Sequence, residues 1–169
     1  MIPFTLSARS PRDGEYAASG RWDLESHTSG SHHLQRVADG RDLPALASLR
    51  PGETLAAYYR RVQADLGRAS GEIERETGAR PVAFAYPFGA YGSERTNDRG
   101  VELLLAGAVA HQYDVAFEQD DQTSVPLVTC ADTRLRLRRI DVGHWSGPEV
   151  LLRLARAAAV TRAPHHCAA

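Results

Sequence analysis

A long amphipathic helix running into a wholly apolar strand constrains this chain more than any other feature. From about Glu53 to Thr77, Leu55, Tyr58, Tyr59, Val62, Leu66, Ala69 and Ile73 recur at helical spacing along one face, and Gly78 supplies a C-terminal stop. The next segment, Pro81-Val82-Ala83-Phe84-Ala85-Tyr86-Pro87, has almost no polar side chain, which suits a strand covered on both faces as in parallel sheets. It ends in the turn Phe88-Gly89-Ala90-Tyr91-Gly92. A second helix is expected over about Asp98 to Ala110, with Val101, Leu104, Leu105 and Ala108 inward, and a short strand over Tyr113 to Phe117. Such alternation predicts an α/β fold, a parallel sheet or part of a barrel, with functional loops at the carboxyl ends of the strands.

The flanking segments fit one domain. Residues 1–15, with Pro3, Pro11 and Gly14, read as an irregular lead-in, and a short helical stub is expected to follow it. Trp22 and Leu24 alternate with Asp23 and Glu25, a strand signal over Arg21 to Ser26. From His27 to Gly52 there is no sustained period, and a loop of that length in a compact domain is usually functional or disordered. After the acidic loop Glu118 to Asp121, Leu135, Leu137 and Ile140 alternate with arginines in an extended segment from Thr133 to Val142, a wetter, edge-like strand. Ser146-Gly147-Pro148-Glu149 is a capping-box spacing, and Val150, Leu151, Leu154 and Ala158 continue as a helix to about Val160. Residues 161–169, including His165-His166-Cys167, read as a flexible tail, so the domain is expected over 16–160.

Composition narrows the function classes. The 169 residues are 43% hydrophobic, enough for a core of ordinary size. Twenty Lys+Arg against 21 Asp+Glu leave no global field to steer the chain to nucleic acid or anionic lipid, and neither is expected as a partner. Cys130 and Cys167 are too few for a disulfide framework. No apolar run approaches the roughly 20 residues that span a bilayer, and the first residues lack the apolar core of an export signal, so no transmembrane segment or leader is expected.

The candidate chemistry lies where the Arg21 to Ser26 segment ends. His27 opens the loop, Thr28 beside it has a hydroxyl able to brace the backbone, and His32 and His33 return a few residues later. Neutral imidazole is the commonest protein ligand for zinc-like metals, and a two-imidazole chelate needs only such a return. For an arbitrary histidine cluster a solvated polar loop is the default, and for His33 that reading stands beside a substrate-contacting one. Asp120-Asp121 is the only Asp-Asp pair; as a third ligand it would make an unrelated metal hydrolase, but a solvated acidic turn explains it better.

His27-Thr28 and His32 resemble the second motif of the polysaccharide deacetylases, carbohydrate esterase family 4, in which a His-Ser/Thr pair and a later His bind the metal. The four residues between the two histidines are similar to the spacing of the exported poly-N-acetylglucosamine deacetylase branch. Phe84-Ala85-Tyr86-Pro87-Phe88-Gly89 resembles that branch's third motif, a strand end whose turn lines the substrate groove, and Arg138-Arg139-Ile140-Asp141-Val142 resembles the strand that closes these domains. The resemblance implies the C-terminal part of a distorted (β/α) barrel, a divalent metal such as zinc held by His27 and His32 with Thr28 bracing the loop, and a groove formed by Tyr86, Pro87, Phe88 and His33. It also implies hydrolysis of N-acetyl groups from an amino-sugar polysaccharide at or outside the cell surface.

The departures from the family are as definite. Nothing in residues 1–26 matches the family's Thr-Phe-Asp-Asp motif, which carries the catalytic-base aspartate and the third ligand. The general acid is unassigned, with His111 and His144 candidates by elimination. Ala85 stands where many deacetylases have a base-orienting arginine, and Phe88 where a tyrosine is usual. The expectation is therefore the C-terminal half to two-thirds of such a domain, with weak metal affinity, doubtful turnover and self-association through exposed sheet edges. A non-catalytic remnant that binds glycan or a partner is the alternative.

Overall fold

Helix α2 (Leu55–Thr77) is the longest element of the computed structural model, which describes residues 13–21, 23–119, 133–139 and 146–160. Before it come a helical stub, α1 (Asp13–Ala18), and a short antiparallel hairpin, β1 (Leu34–Arg36) with β2 (Asp42–Pro44). After it the chain alternates β3 (Ala83–Ala85), α3 (Gly100–Gln112), β4 (Val115–Gln119), β5 (Leu137–Arg139) and α4 (Gly147–Val160). The α/β alternation predicted from the spacing is thus present.

Local chemistry explains where α2 starts and stops. The Thr54 hydroxyl accepts the Ala57 N–H at 3.2 Å, and Gly78, at φ +76°, donates its own N–H to the Glu74 carbonyl at 2.8 Å. The stripe Tyr58, Val62, Leu66, Ala69 and Ile73 is buried as the period predicts, while Leu55, on the first turn, is exposed. Asp65 is buried within that stripe, 2% exposed. Val101, Leu105 and Ala108 of α3 face the same core, with Leu104 partly buried.

Three strands form a parallel sheet in the order β3-β4-β5, with Phe84 opposite Ala116 and Phe117 opposite Leu137. Beside β3, Ser26 adds a single parallel bridge: its N–H donates to the Ala83 carbonyl and its carbonyl accepts from the Ala85 N–H. Among the described residues of the strand expected over Arg21 to Ser26, pairing is seen at Ser26 alone. Neighbours in the sheet are consecutive in sequence and all parallel, so their carboxyl ends lie at one end. Among the described residues the sheet is open and a closed barrel is not formed.

Alternation along β3 sends Phe84 and Tyr86 into the core beneath the helices. There the Phe84 ring stacks on Tyr113 (centroids 5.2 Å, 23°) and meets Tyr86 edge-on. The segment expected as structureless from His27 to Gly52 contains the hairpin and a 3-10 turn, Ala45–Ala47. Long-range bonds hold it: Arg61 pairs with Glu53 (2.8 Å) and donates to the carbonyls of Ala45 and Ser48, and Tyr58 Oη donates to Leu46. The observed α3 and β4 each begin about two residues later than the spacing suggests; at the start of α3, Asp98 Oδ1 accepts the Gly100 N–H. The strand expected over Thr133 to Val142 is seen as Leu137–Arg139, and 140–142 lie outside the described residues. Among the described residues no helix is long and apolar enough to cross a membrane.

Candidate functional site

His27 follows directly on the bridged Ser26, so the sheet itself delivers its imidazole to the carboxyl end of β3. Its Nδ1 lies 2.5 Å from the Ala85 carbonyl. A carbonyl only accepts, so the ring is the donor, Nδ1 carries the proton, and the Nε2 lone pair is left for a ligand. The His32 ring stands 4.5 Å from that of His27, centroid to centroid, with planes crossing at 77°. The two candidate ligands read from the sequence are thus neighbours.

Both imidazoles are biased toward the neutral form. Burial pushes the His27 pKa down to about 4, against the opposing effect of the Ala85 hydrogen bond, and His32 and Arg139 push it further the same way. His32 is lowered as well, by burial first and then by Arg139 and His33. A neutral imidazole is the form that binds metal, so the pair suits two positions of a zinc-like ion. No group of three or more His, Cys, Asp or Glu side chains able to hold a metal occurs among the described residues.

The loop between the histidines is held from α2. Asp65 Oδ1 accepts the Gly30 N–H at 2.8 Å and Oδ2 the Ser29 N–H at 3.3 Å. Thr28, the expected brace, sits at φ +78°, a left-handed conformation unusual for a β-branched residue and costing on the order of 1–3 kcal/mol. Its buried Oγ1 has no hydrogen-bond partner among the described residues. Sequence reading missed Asp65. The signal was there: it falls three residues after Val62 and immediately before Leu66, inside the apolar stripe.

Below the loop, the phenol of Tyr113 lies within hydrogen-bonding distance of the Ser26 hydroxyl (2.7 Å) and the Leu66 carbonyl (3.1 Å), tying the base of the loop to the same turn of α2.

Of the residues expected to line a groove, only some are placed for it. Tyr86 is 1% exposed, its ring in the core and its Oη donating to the Leu135 carbonyl, and Pro87 is also buried. Tyr86 and Pro87 therefore carry the turn rather than face a ligand. Phe88 is 38% exposed, at φ +56°, with its ring 4.8 Å from His32 and the Arg95 guanidinium 5.8 Å above it. His33 is exposed, its Nδ1 within 3.1 Å of the Gly30 carbonyl. His111 lies on the last turn of α3, at the end that feeds β4, which is the opposite end of the sheet from His27. It does not join the site. Asp120, Asp121, Cys130, His144 and the His165-His166-Cys167 tail lie outside the described residues.

No family model and no curated protein matches this sequence. Solved structures do. A de-N-acetylase from Aggregatibacter actinomycetemcomitans superposes with a TM-score of 0.58 at 23% identity, over 82% of this chain and 50% of its own. The BpsB deacetylase domain from Bordetella bronchiseptica gives 0.56 at 23% identity, over 75% and 48%. IcaB from Ammonifex degensii gives 0.52 at 18% identity, over 83% and 50%. The chain spans about half the length of these structures and shares its fold with deacetylase domains.

Proposed function

We propose that this chain carries the histidine half of a metal site for removing N-acetyl groups from an amino-sugar polysaccharide. The observation that carries the reading is the convergence of His27 and His32, rings 4.5 Å apart, at the carboxyl end of a sheet in a deacetylase fold. In this reading His27, fixed through Nδ1 to Ala85, and His32 are ligands of a divalent metal, preferably zinc. A bound metal would polarise the acetamide carbonyl and activate a water.

The chain's own residues then orient the substrate. The exposed Phe88 ring, between His32 and Arg95, offers an apolar face for a sugar ring, and the Phe88 N–H is the donor assigned to the developing oxyanion. The proton-accepting carboxylate and the third ligand have no assignment among the described residues, so turnover depends on groups beyond them. An extracellular or cell-surface setting belongs to the same reading, through the resemblance to the exported branch.

Zinc calorimetry on the full chain tests the ligand assignment. Zinc binding is expected to weaken at least tenfold in either His27→Ala or His32→Ala. Chelator-sensitive release of acetate from acetylated glucosamine oligomers tests the reaction, and release that persists with both imidazoles removed overturns it. A second reading, glycan binding without turnover, is favoured by the exposed Phe88 platform, which needs no metal. Oligosaccharide binding that survives chelator and is lost in Phe88→Ala distinguishes it.

A further inference from the structure

We infer that Asp65, on α2, is the positioning residue that sets the separation of His27 and His32; the inference rests on the metal reading above and deepens it. The segment runs His27-Thr28-Ser29-Gly30-Ser31-His32, and the carboxylate grips its two central residues. Each oxygen takes one backbone N–H, from Gly30 at 2.8 Å and from Ser29 at 3.3 Å, and Arg68 approaches Oδ1 at 3.6 Å from the solvent side. With the apex held, the two ends fold back and bring the rings together.

Three observations make this more than a buried polar residue finding partners. Asp65 interrupts an otherwise apolar stripe, where a leucine or alanine would pack without a desolvation cost. Thr28 stands in a left-handed conformation, and its hydroxyl has no partner among the described residues, so the strained backbone there is held by contacts from outside the loop. A Cβ on Gly30 would lie 3.4 Å from Oδ1, so the carboxylate closes directly on the backbone there. Asp65 touches neither imidazole. It acts through the loop.

The test compares Asp65→Asn with Leu66→Ala in the full chain, Leu66 being its neighbour in the core. Both variants are expected to lower the melting temperature. Only Asp65→Asn is expected to weaken zinc binding, at least tenfold, and to abolish the nuclear Overhauser contact between the His27 and His32 rings in metal-free protein. Zinc affinity within twofold of wild type in Asp65→Asn overturns the proposal. Should the wild-type chain bind no zinc, the metal reading fails and the ring contact decides separately: its persistence in Asp65→Asn overturns the positioning role, its loss sustains it. Wild-type protein gives a measurement independent of any variant's folding. The Ser29 and Gly30 amides are expected to exchange slowly with deuterium, and exchange at the rate of an unstructured peptide overturns the proposal.

Discussion

His27 is stored in a form unlike that of a surface histidine. Its pKa of about 4 in the fold lies below the ordinary value near 6.5, because burial opposes the charged ring. The unfolded chain therefore binds the proton more readily between those two values. Stability from this residue is fully present above about pH 6.5 and is lost as the pH falls through the folded value near 4. Thermal melts of metal-free protein from pH 7 to pH 4 are expected to show the melting temperature falling across that window, with a shallower slope in His27→Gln. An unchanged slope would mean that the imidazole is not buried as described. The proximity of His27 and His32 was readable from sequence because two histidines five positions apart in one loop are a local pattern. The role of Asp65 was not: a carboxylate on a helix usually faces water, and only its coincidence with the apolar stripe marks it.

Elements show the same division between local and distant causes. Helix α2 and strand β3 were legible, since a sustained apolar period and a short apolar run that follows a helix stop point to those structures. The hairpin of β1 and β2 was not. Each of its strands has three residues, and the 3-10 turn that follows it is held by Arg61, which reaches the Ala45 carbonyl from α2. The turn after β3 has its own requirement. Gly89 sits at φ +68°, and a Cβ there would overlap the Gln119 carbonyl oxygen and come within 2.8 Å of its nitrogen, both backbone atoms of β4. Gly89→Ala is expected to destabilise the fold by about 1–3 kcal/mol or more and to displace Phe88 from His32. Chemical denaturation and the Phe88–His32 ring contact in solution measure the two effects, and a neutral substitution would mean that the turn is more open than described.

At the scale of the molecule, a parallel sheet was legible from the alternation of elements, because a helix between two strands, as α3 lies between β3 and β4, returns the chain in the same direction. Closure was not legible, since it depends on which strands meet at the sheet's edges. One surface stands out by its chemistry. Leu151, Leu152 and Leu154 of α4 are 69%, 50% and 40% exposed. Apolar exposure of this kind promotes association. Light scattering is expected to rise with protein concentration for the wild-type chain and to rise less for Leu151→Glu combined with Leu154→Glu. Equal scattering would place the sticky surface elsewhere, for instance at the sheet edges.

The hydrogen bond from His27 to Ala85 joins residues 58 apart in sequence, and that from Gly30 to Asp65 residues 35 apart. The proposed metal-site motif is therefore continuous as a string of letters but discontinuous as an object: a strand end supplies the ring's orientation and a helix supplies the loop's shape. A peptide of residues 22–33, or the same twelve residues grafted onto another loop, carries both imidazoles without either support. Its histidines are expected to titrate near pH 6.5 and to bind zinc as an ordinary flexible pair. The two histidines cannot be moved to another protein as a portable part; a graft would have to bring the carbonyl of β3 and the carboxylate of α2 with them.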